Sequence, residues 1–586
     1  MPAGTASGGS TATSQESRDS DRLTGGSETP TGGPTTPAKP AGAAPALNRD
    51  LRFWAILLAI GFSGLLSALE ATITSTALPT VIAELGGGDL YIWAVNGYFL
   101  AMTSLQPMFG QLANVFGRRW PTIGATAAFV LGSGICGGAT GMGTLIAGRV
   151  VQGIGAGGIN VLVEIIICDL VPLRERGTYF AIIFGLVAIG TALGPFFGGL
   201  IVTYSSWRWV FYLNLPVGGF ALLLLLVFLN VKHNREKTLA TRLTTIDWVG
   251  NVIFVSSICS ILIALSWAGA VHPWSSYQVL TPLIVGFAGL VGFVLFEASA
   301  LAPYPTVPLH LLSNRTSAIV FFLTLMHSIV TMWAIYFLPI YFQGVLGSTP
   351  SRSGVQLLPT ILILIPFAAA GGALMSKLGR YRPIHQAGYA LMVLGFGLFT
   401  LLDENSNTGT WVGLQIVESA GAGLIAPTLL PAVMAPLAES DTALAAATWA
   451  FFRSFGLTWG TAIPAAIFNN RFDQLAETEI TDPVLRSRLT GGRAYESATA
   501  IFRSTLPEAT RNEFTRVLEM SLQRTWQVAI GFAALGFLLV FLEKEVPLRQ
   551  ELETEFGMVD KKNREENVEE AKEVNKDTDP QKQNTT

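Results

Sequence analysis

Residues Gly110 to Arg119 read GQLANVFGRR, and this stretch decides how the whole chain is read. It lies between two runs of about twenty apolar residues, each long enough to cross a hydrocarbon core of roughly 30 Å. Its adjacent arginines interrupt a long stretch without Lys or Arg. Lipid cannot solvate guanidinium, so Arg118 and Arg119 are expected in water or among headgroups, and short loops with such charges stay in the cytoplasm. That fixes the direction of the flanking helices and, by alternation, of every other span. Gly110 and Gly117 carry no Cβ and are expected to let two helices meet around a tight reversal.

Composition agrees with a membrane chain. Of 586 residues, 50% are hydrophobic and only 13% charged, and the charges cluster so that windows of about 20 uncharged residues recur. Sixty-one glycines and thirty prolines fit too, because membrane helices use both freely. A net charge of −3 predicts no nucleic-acid partner. Cys136, Cys168 and Cys259 fall far apart in apolar runs, so buried inert thiols are expected and not a disulfide framework. No Walker motif, His-Glu-x-x-His or Cys/His metal spacing occurs, so no cofactor, no metal and no direct ATP drive is expected.

The pattern predicts an all-α membrane protein of fourteen spans, near 53–80, 91–112, 120–138, 144–170, 177–202, 209–231, 246–268, 279–298, 316–344, 354–375, 384–402, 411–436, 443–468 and 525–542. With both termini cytoplasmic, short inner loops hold Arg118, Arg119, Arg174, Arg176, Lys232, Arg235, Lys237, Arg242, Arg315, Lys377, Arg380 and Arg382, and short outer loops hold only Arg208 and Arg352. That is the positive-inside bias. The expected division is a disordered tail 1–50, a six-helix bundle 51–231, a linker with two extra helices 232–314, a second six-helix bundle 315–545 with an outer loop 469–524, and a tail 546–586. GGALMSKLGRYR at 371–382 echoes GQLANVFGRR, the weak internal repeat expected of two related bundles.

Several polar residues sit where lipid would forbid them. Glu70 in LEATITSTALP and Arg149 in AGRVVQGIGAGG lie inside apolar runs, and an intramembrane charge is functional by default unless it only ties helices together. Glu70 is 17 residues beyond Phe53, roughly 25 Å at 1.5 Å per residue, and Arg149 lies roughly 8 Å in from Thr144 on an oppositely directed helix. Both therefore belong at similar depth in the outer half, as a candidate proton-coupling pair. Glu164 and Asp169 end the same span; Asp169 reads as a helix-terminus residue near Arg174 and Arg176, and Glu164 is open. Gln152, His327 and Arg453 are candidate cavity residues. For His327 the commoner role is a hydrogen-bonded helix contact, and for Arg453 it is pairing with a carbonyl or carboxylate. Gly190, Gly194 and Gly198 repeat at four residues, and Pro195 removes a backbone donor.

Together these motifs resemble the major facilitator superfamily. GQLANVFGRR is similar to its loop signature, with Asn114 where the family has aspartate, so Gly110, Asn114, Gly117, Arg118 and Arg119 are the implied conformational gate. Arg149, Gln152 and the glycines from Gly153 match its fourth-helix motif. Gly194-Pro195 with Gly198-Gly199, preceded by Gly190, resembles the antiporter motif of exporters, and Leu69 to Pro79 resembles fourteen-spanner drug:proton antiporters with Glu70 replacing aspartate. The resemblance implies a monomeric secondary transporter, not an enzyme, exchanging protons for a small hydrophobic drug, toxin or secondary metabolite across the lipid bilayer. The plasma membrane is expected, with the vacuolar membrane as the alternative. An uptake carrier for a siderophore or other small solute and a non-transporting sensor are the competing readings. The exporter motif weighs against the first, and the short low-complexity tails weigh against the second.

Overall fold

The computed structural model describes residues 50–85, 91–230, 239–268, 272–491 and 493–549. The first tail, the second tail beyond Arg549, and Lys232, Arg235 and Lys237 of the linker lie outside the described residues.

Among these residues every regular element is helical. The first half holds α1 (Leu51–Leu85), α2 (Tyr91–Ser104), α3 (Gln106–Phe116), α4 (Arg119–Gly137), α5 (Met142–Leu170), α6 (Leu173–Tyr204), α7 (Arg208–Tyr212) and α8 (Asn214–Phe228). A central part follows with α9 (Leu239–Thr244), α10 (Trp248–Trp267), α11 (Tyr277–Glu297) and α12 (His310–Ser313). The second half holds α13 (Arg315–Ile340), α14 (Pro350–Leu378), α15 (Arg382–Phe399), α16 (Thr408–Ile425), α17 (Leu429–Met434) and α18 (Thr442–Glu479). It closes with α19 (Pro483–Leu489), α20 (Ala494–Ser497), α21 (Ala500–Thr505) and α22 (Glu508–Val540).

Nine stretches among the described residues are long and apolar enough to cross a membrane. The other expected spans fall on α2–α3, α4, α15, α18 and α22, which are shorter or less apolar. Breaks have local causes. Pro107 opens α3, where its ring and missing N–H stop α2 from continuing. Pro427 follows the end of α16, as prolines do where a helix stops.

Helix pairings repeat between the halves. In the first, α1 packs on α6 and α8, α4 on α5 and α8, and α2 on α5; in the second, α13 packs on α18 and α22, α15 on α16 and α22, and α14 on α16. The same positions meet in each bundle, so the echo between GQLANVFGRR and GGALMSKLGRYR reflects a structural repeat. Gly117 at φ 78° and Gly379 at φ 67° turn the chain at corresponding places, with a positive φ that side-chain-bearing residues resist. Between the bundles, α6 meets α14, and α18 meets α3 and α5.

The extra helices α10 and α11 pack on each other and dock through a polar knot at Gln111. Its Nε2 donates to the Tyr304 carbonyl at 2.9 Å, and its Oε1 accepts from Asn251 Nδ2 at 3.0 Å. Phe254 meets Phe451 edge-on at 4.9 Å. The outer face of α11 exposes Ile284, Val291 and Leu295, as a lipid-facing helix should.

The segment 469–524, expected as a loop with a short amphipathic stretch PEATRNEFTRVLEMSLQR, is largely helical among its described residues. α18 extends to Glu479 and α22 begins at Glu508, with α19–α21 between. Phe472, Leu485, Leu489, Phe514 and Leu518 are buried there, so this end of the second bundle carries its own small core. The amphipathic stretch falls at the start of α22, which begins at Glu508.

Candidate functional site

α1 brings Glu70, and α5 brings Arg149, to one buried point. Arg149 Nη1 donates to Glu70 Oε1 at 2.5 Å, and neither residue is exposed. The rest of the guanidinium is held from three sides. Nε donates to the Ala94 carbonyl of α2 at 2.8 Å, Nη1 also reaches Gln152 Oε1 at 2.7 Å, and the Tyr98 ring lies 4.4 Å from Cζ. Gln152 in turn donates to Ser133 Oγ of α4 at 2.7 Å. Asn214, at the start of α8, donates from Nδ2 to Glu70 Oε2 at 2.6 Å, and Thr74 Oγ1 adds a bond of 3.2 Å to Oε1. Five helices thus converge on one ion pair. Arg149 Nη2 and Asn214 Oδ1 remain buried with no hydrogen-bond partner among the described residues, an arrangement that costs free energy. Gln152 belongs to this network and does not line the cavity described below.

The glycine face of α6 packs on α1 beside this pair. A Cβ at Gly190 would stand 2.6 Å from the Leu65 carbonyl, and one at Gly194 would strike Thr72 Oγ1. Gly198 is buried and Gly199 half-buried. α6 runs unbroken past Pro195.

The Gly110–Arg119 loop marks one end of the bundle, here called the loop face. Arg118 is buried at 3% exposure and not solvated, because Asp169 at the end of α5 pairs with its Nε at 2.7 Å. Asp169 is therefore an ion-pair partner and not only a helix-end charge. Arg118 Nη1 also donates to Asn114 Oδ1 at 3.1 Å and to the Ala113 carbonyl at 2.8 Å. Arg119 donates to Asn230 Oδ1, just past the end of α8, and to the Leu226 carbonyl in its last turn. Gly110 faces the second bundle and not α4: a Cβ there would overlap Ala447 and approach the Ala443 carbonyl at 3.1 Å, both on α18. Gly372 of α14 meets Gly177 of α6 in the same way.

Arg174 and Arg176, expected in an inner loop, close the loop face between bundles. Arg176 pairs with Glu439, whose other oxygen meets Arg549 Nη2 at 3.1 Å. Arg174 donates to the Ser376 and Lys377 carbonyls at 2.8 and 3.0 Å, and its backbone N–H donates to the Arg549 carbonyl at 3.1 Å. The segment after α22 thus straps both halves.

Deeper in, a cavity of about 80 Å³ is lined by Phe184, Thr324, His327, Ser328, Trp449 and Arg453, with Ala426 and Leu429. It lies between α6 of the first bundle and α13 and α18 of the second. His327 Nε2 donates to the Ala422 carbonyl at 3.0 Å. Arg453 reaches across to Glu164 of α5 at 2.8 Å, with its guanidinium over Phe184 and Trp449 at 5.4 and 4.8 Å.

The Major Facilitator Superfamily model matches residues 60–461. The chain is 61% identical over 519 residues to an MFS-type transporter, pydD, of Acremonium, covering 89% of this chain and 91% of that one. It is 46% identical over 520 residues to the MFS efflux transporter aclA of Aspergillus oryzae, covering 88% and 94%. Among solved structures, the proton:xylose symporter XylE is similar at a TM-score of 0.55 and 13% identity, covering 86% of this chain and 98% of that one.

Proposed function

Because the chain belongs to the major facilitator superfamily, and is thus a multi-pass membrane transporter and not an enzyme, we propose that it exports small hydrophobic metabolites or toxins in exchange for protons. The bundles 51–231 and 315–545 rock about the cavity between them, and the helices of 232–314 ride alongside. The loop face is cytoplasmic, as are both termini, and 469–524 caps the outside. The membrane is the plasma membrane, and one chain suffices.

The observation that carries this reading is the Glu70–Arg149 pair. Each charge is tolerated in low dielectric only because the other is there. When a shift of α5 against α1 within the first bundle, coupled to rocking, draws Arg149 away, the carboxylate is left desolvated and takes up a proton; when the pair reforms, the proton leaves. One charge crossing with a potential of 100 mV supplies about 2.3 kcal/mol, to which the pH gradient adds. In this conformation the bundles are tied at the loop face and the pair is formed, so proton uptake belongs to a different conformation in which Glu70 and Arg149 have separated.

The test uses purified protein in liposomes with an imposed pH gradient. Wild type should move a hydrophobic dye toward the side that supplies the protons, and Glu70→Gln should bind dye without responding to the gradient. Full gradient-driven transport by Glu70→Gln at equal protein content would overturn the assignment.

A further inference from the structure

Arg453 is the one cation among the described residues lining the central cavity, and its setting is unusual. Its side chain is 23% exposed, while its partner Glu164 is 3% exposed. Guanidinium cannot shed its proton and is built to grip a carboxylate through two parallel bonds. Glu164 offers it one oxygen only, and Glu164 Oε2 is buried with no hydrogen-bond partner among the described residues. A second unmet group stands beside them: Trp449 Nε1 is buried with no acceptor among the described residues. The Phe184 and Trp449 rings stack at 6.2 Å around the guanidinium. The floor is therefore aromatic, with a cation met by one oxygen of an internal anion.

We propose that this cavity binds an organic anion with an apolar, aromatic body, and that the anion displaces Glu164 from Arg453. A carboxylate or similar acid would grip the guanidinium with two oxygens while its body lies against Phe184 and Trp449, where cation–π and apolar contacts add to the charge. The exchange also has a mechanical consequence. Glu164 belongs to α5 and Arg453 to α18, so the pair ties one bundle to the other, and an anion that takes over Arg453 releases that tie. This deepens the export reading, on which it rests for calling the bound molecule a substrate.

Calorimetry on the full chain in lipid nanodiscs tests it with three matched probes: 2-naphthylacetate, 2-naphthylacetamide and 2-(2-naphthyl)ethylamine. The acid should bind about tenfold or more tighter than the amide, a difference of about 1.4 kcal/mol, and the amine more weakly still. Arg453→Gln should bring the acid down to the amide, Arg453→Lys should keep part of the preference, and Glu164→Gln should tighten the acid by removing its competitor. Equal binding of the three probes, no binding, or a preference that survives Arg453→Gln overturns the proposal. Should Arg453→Gln fail to fold, the wild-type comparison and Glu164→Gln decide it. Direction is measured separately in liposomes. Outward transport without acid preference removes the anion assignment alone, and acid preference without outward transport removes the export reading alone.

Discussion

Glu70 and Arg149 meet at 2.5 Å with no exposed surface on either residue, although 79 positions separate them in the chain. Removing one member of such a pair typically costs about 3–5 kcal/mol, because the other is left buried and unpaired. The two losses differ, since a lone carboxyl can take a proton and a lone guanidinium cannot. Glu70→Gln should therefore lower the melting temperature more than Arg149→Gln. The double variant should recover much of the stability and none of the pH-driven transport. Recovery of transport in the double variant would show that the pair is only structural.

The strap after α22 gives a second expectation. Leu548 is buried and Arg549 bonds to the carbonyls of Met434 and Leu437 at 3.4 and 2.9 Å, so the chain contributes to loop-face closure as far as Arg549. Deleting 556–586 should leave transport unchanged. Deleting from Phe541 onward should open the loop face, because Glu439 loses one of its two cations. Cys168 reports on this, as its thiol is buried against Met434 Sδ at 3.6 Å. With Cys136 and Cys259 replaced by alanine, its alkylation should rise about tenfold for a loss of about 1.4 kcal/mol. An unchanged rate would mean that the strap is passive.

The charges buried in apolar runs were legible in the sequence, because lipid leaves few reasons for them. Glu70, Arg149 and Arg453 are placed by that argument alone. Their neutral partners were not legible: Asn214 lies in an aromatic run that reads as an interfacial belt, and nothing local says that α8 turns it toward α1. Asp169 pairs with Arg118 across 51 positions, a distance over which one sequence carries no pairing signal. The same holds between bundles, where Glu439 looks like a loop charge until Arg176 and Arg549 are seen on either side. The repeat was legible through Gly117-Arg118 and Gly379-Arg380, since turn geometry restricts residue choice locally.

Asn114 provides a third prediction. Its amide oxygen accepts from Arg118 at 3.1 Å while Asp169 supplies the negative charge at 2.7 Å. In Asn114→Asp a second carboxylate meets the same guanidinium, and charge assistance roughly doubles the strength of such a bond. The loop should then hold the end of α5 more firmly, and Cys168, one residue from Asp169, should be alkylated more slowly. A rate equal to that of the parent would confine the effect of Asn114 to the loop.

Gly110 provides the last prediction. It touches α18 rather than its neighbour α4, and a Cβ would overlap Ala447 and press on the Ala443 carbonyl at 3.1 Å. Neither atom can swing aside, since one is a bare methyl and the other backbone. α3 and α18 belong to different bundles, so the overlap arises only while the loop face is closed. Gly110→Ala should push the equilibrium toward the conformation open at that face, and Gly110→Val should do so further because its branched side chain is stiff. A shift of about 1.4 kcal/mol per step changes the population ratio about tenfold. Cys168 alkylation should therefore rise from glycine to alanine to valine, while transport falls because closure is disfavoured in every cycle. If instead both variants alkylate at the parent rate and still melt early, Gly110 serves helix packing alone and the gate lies with Arg176, Glu439 and Arg549.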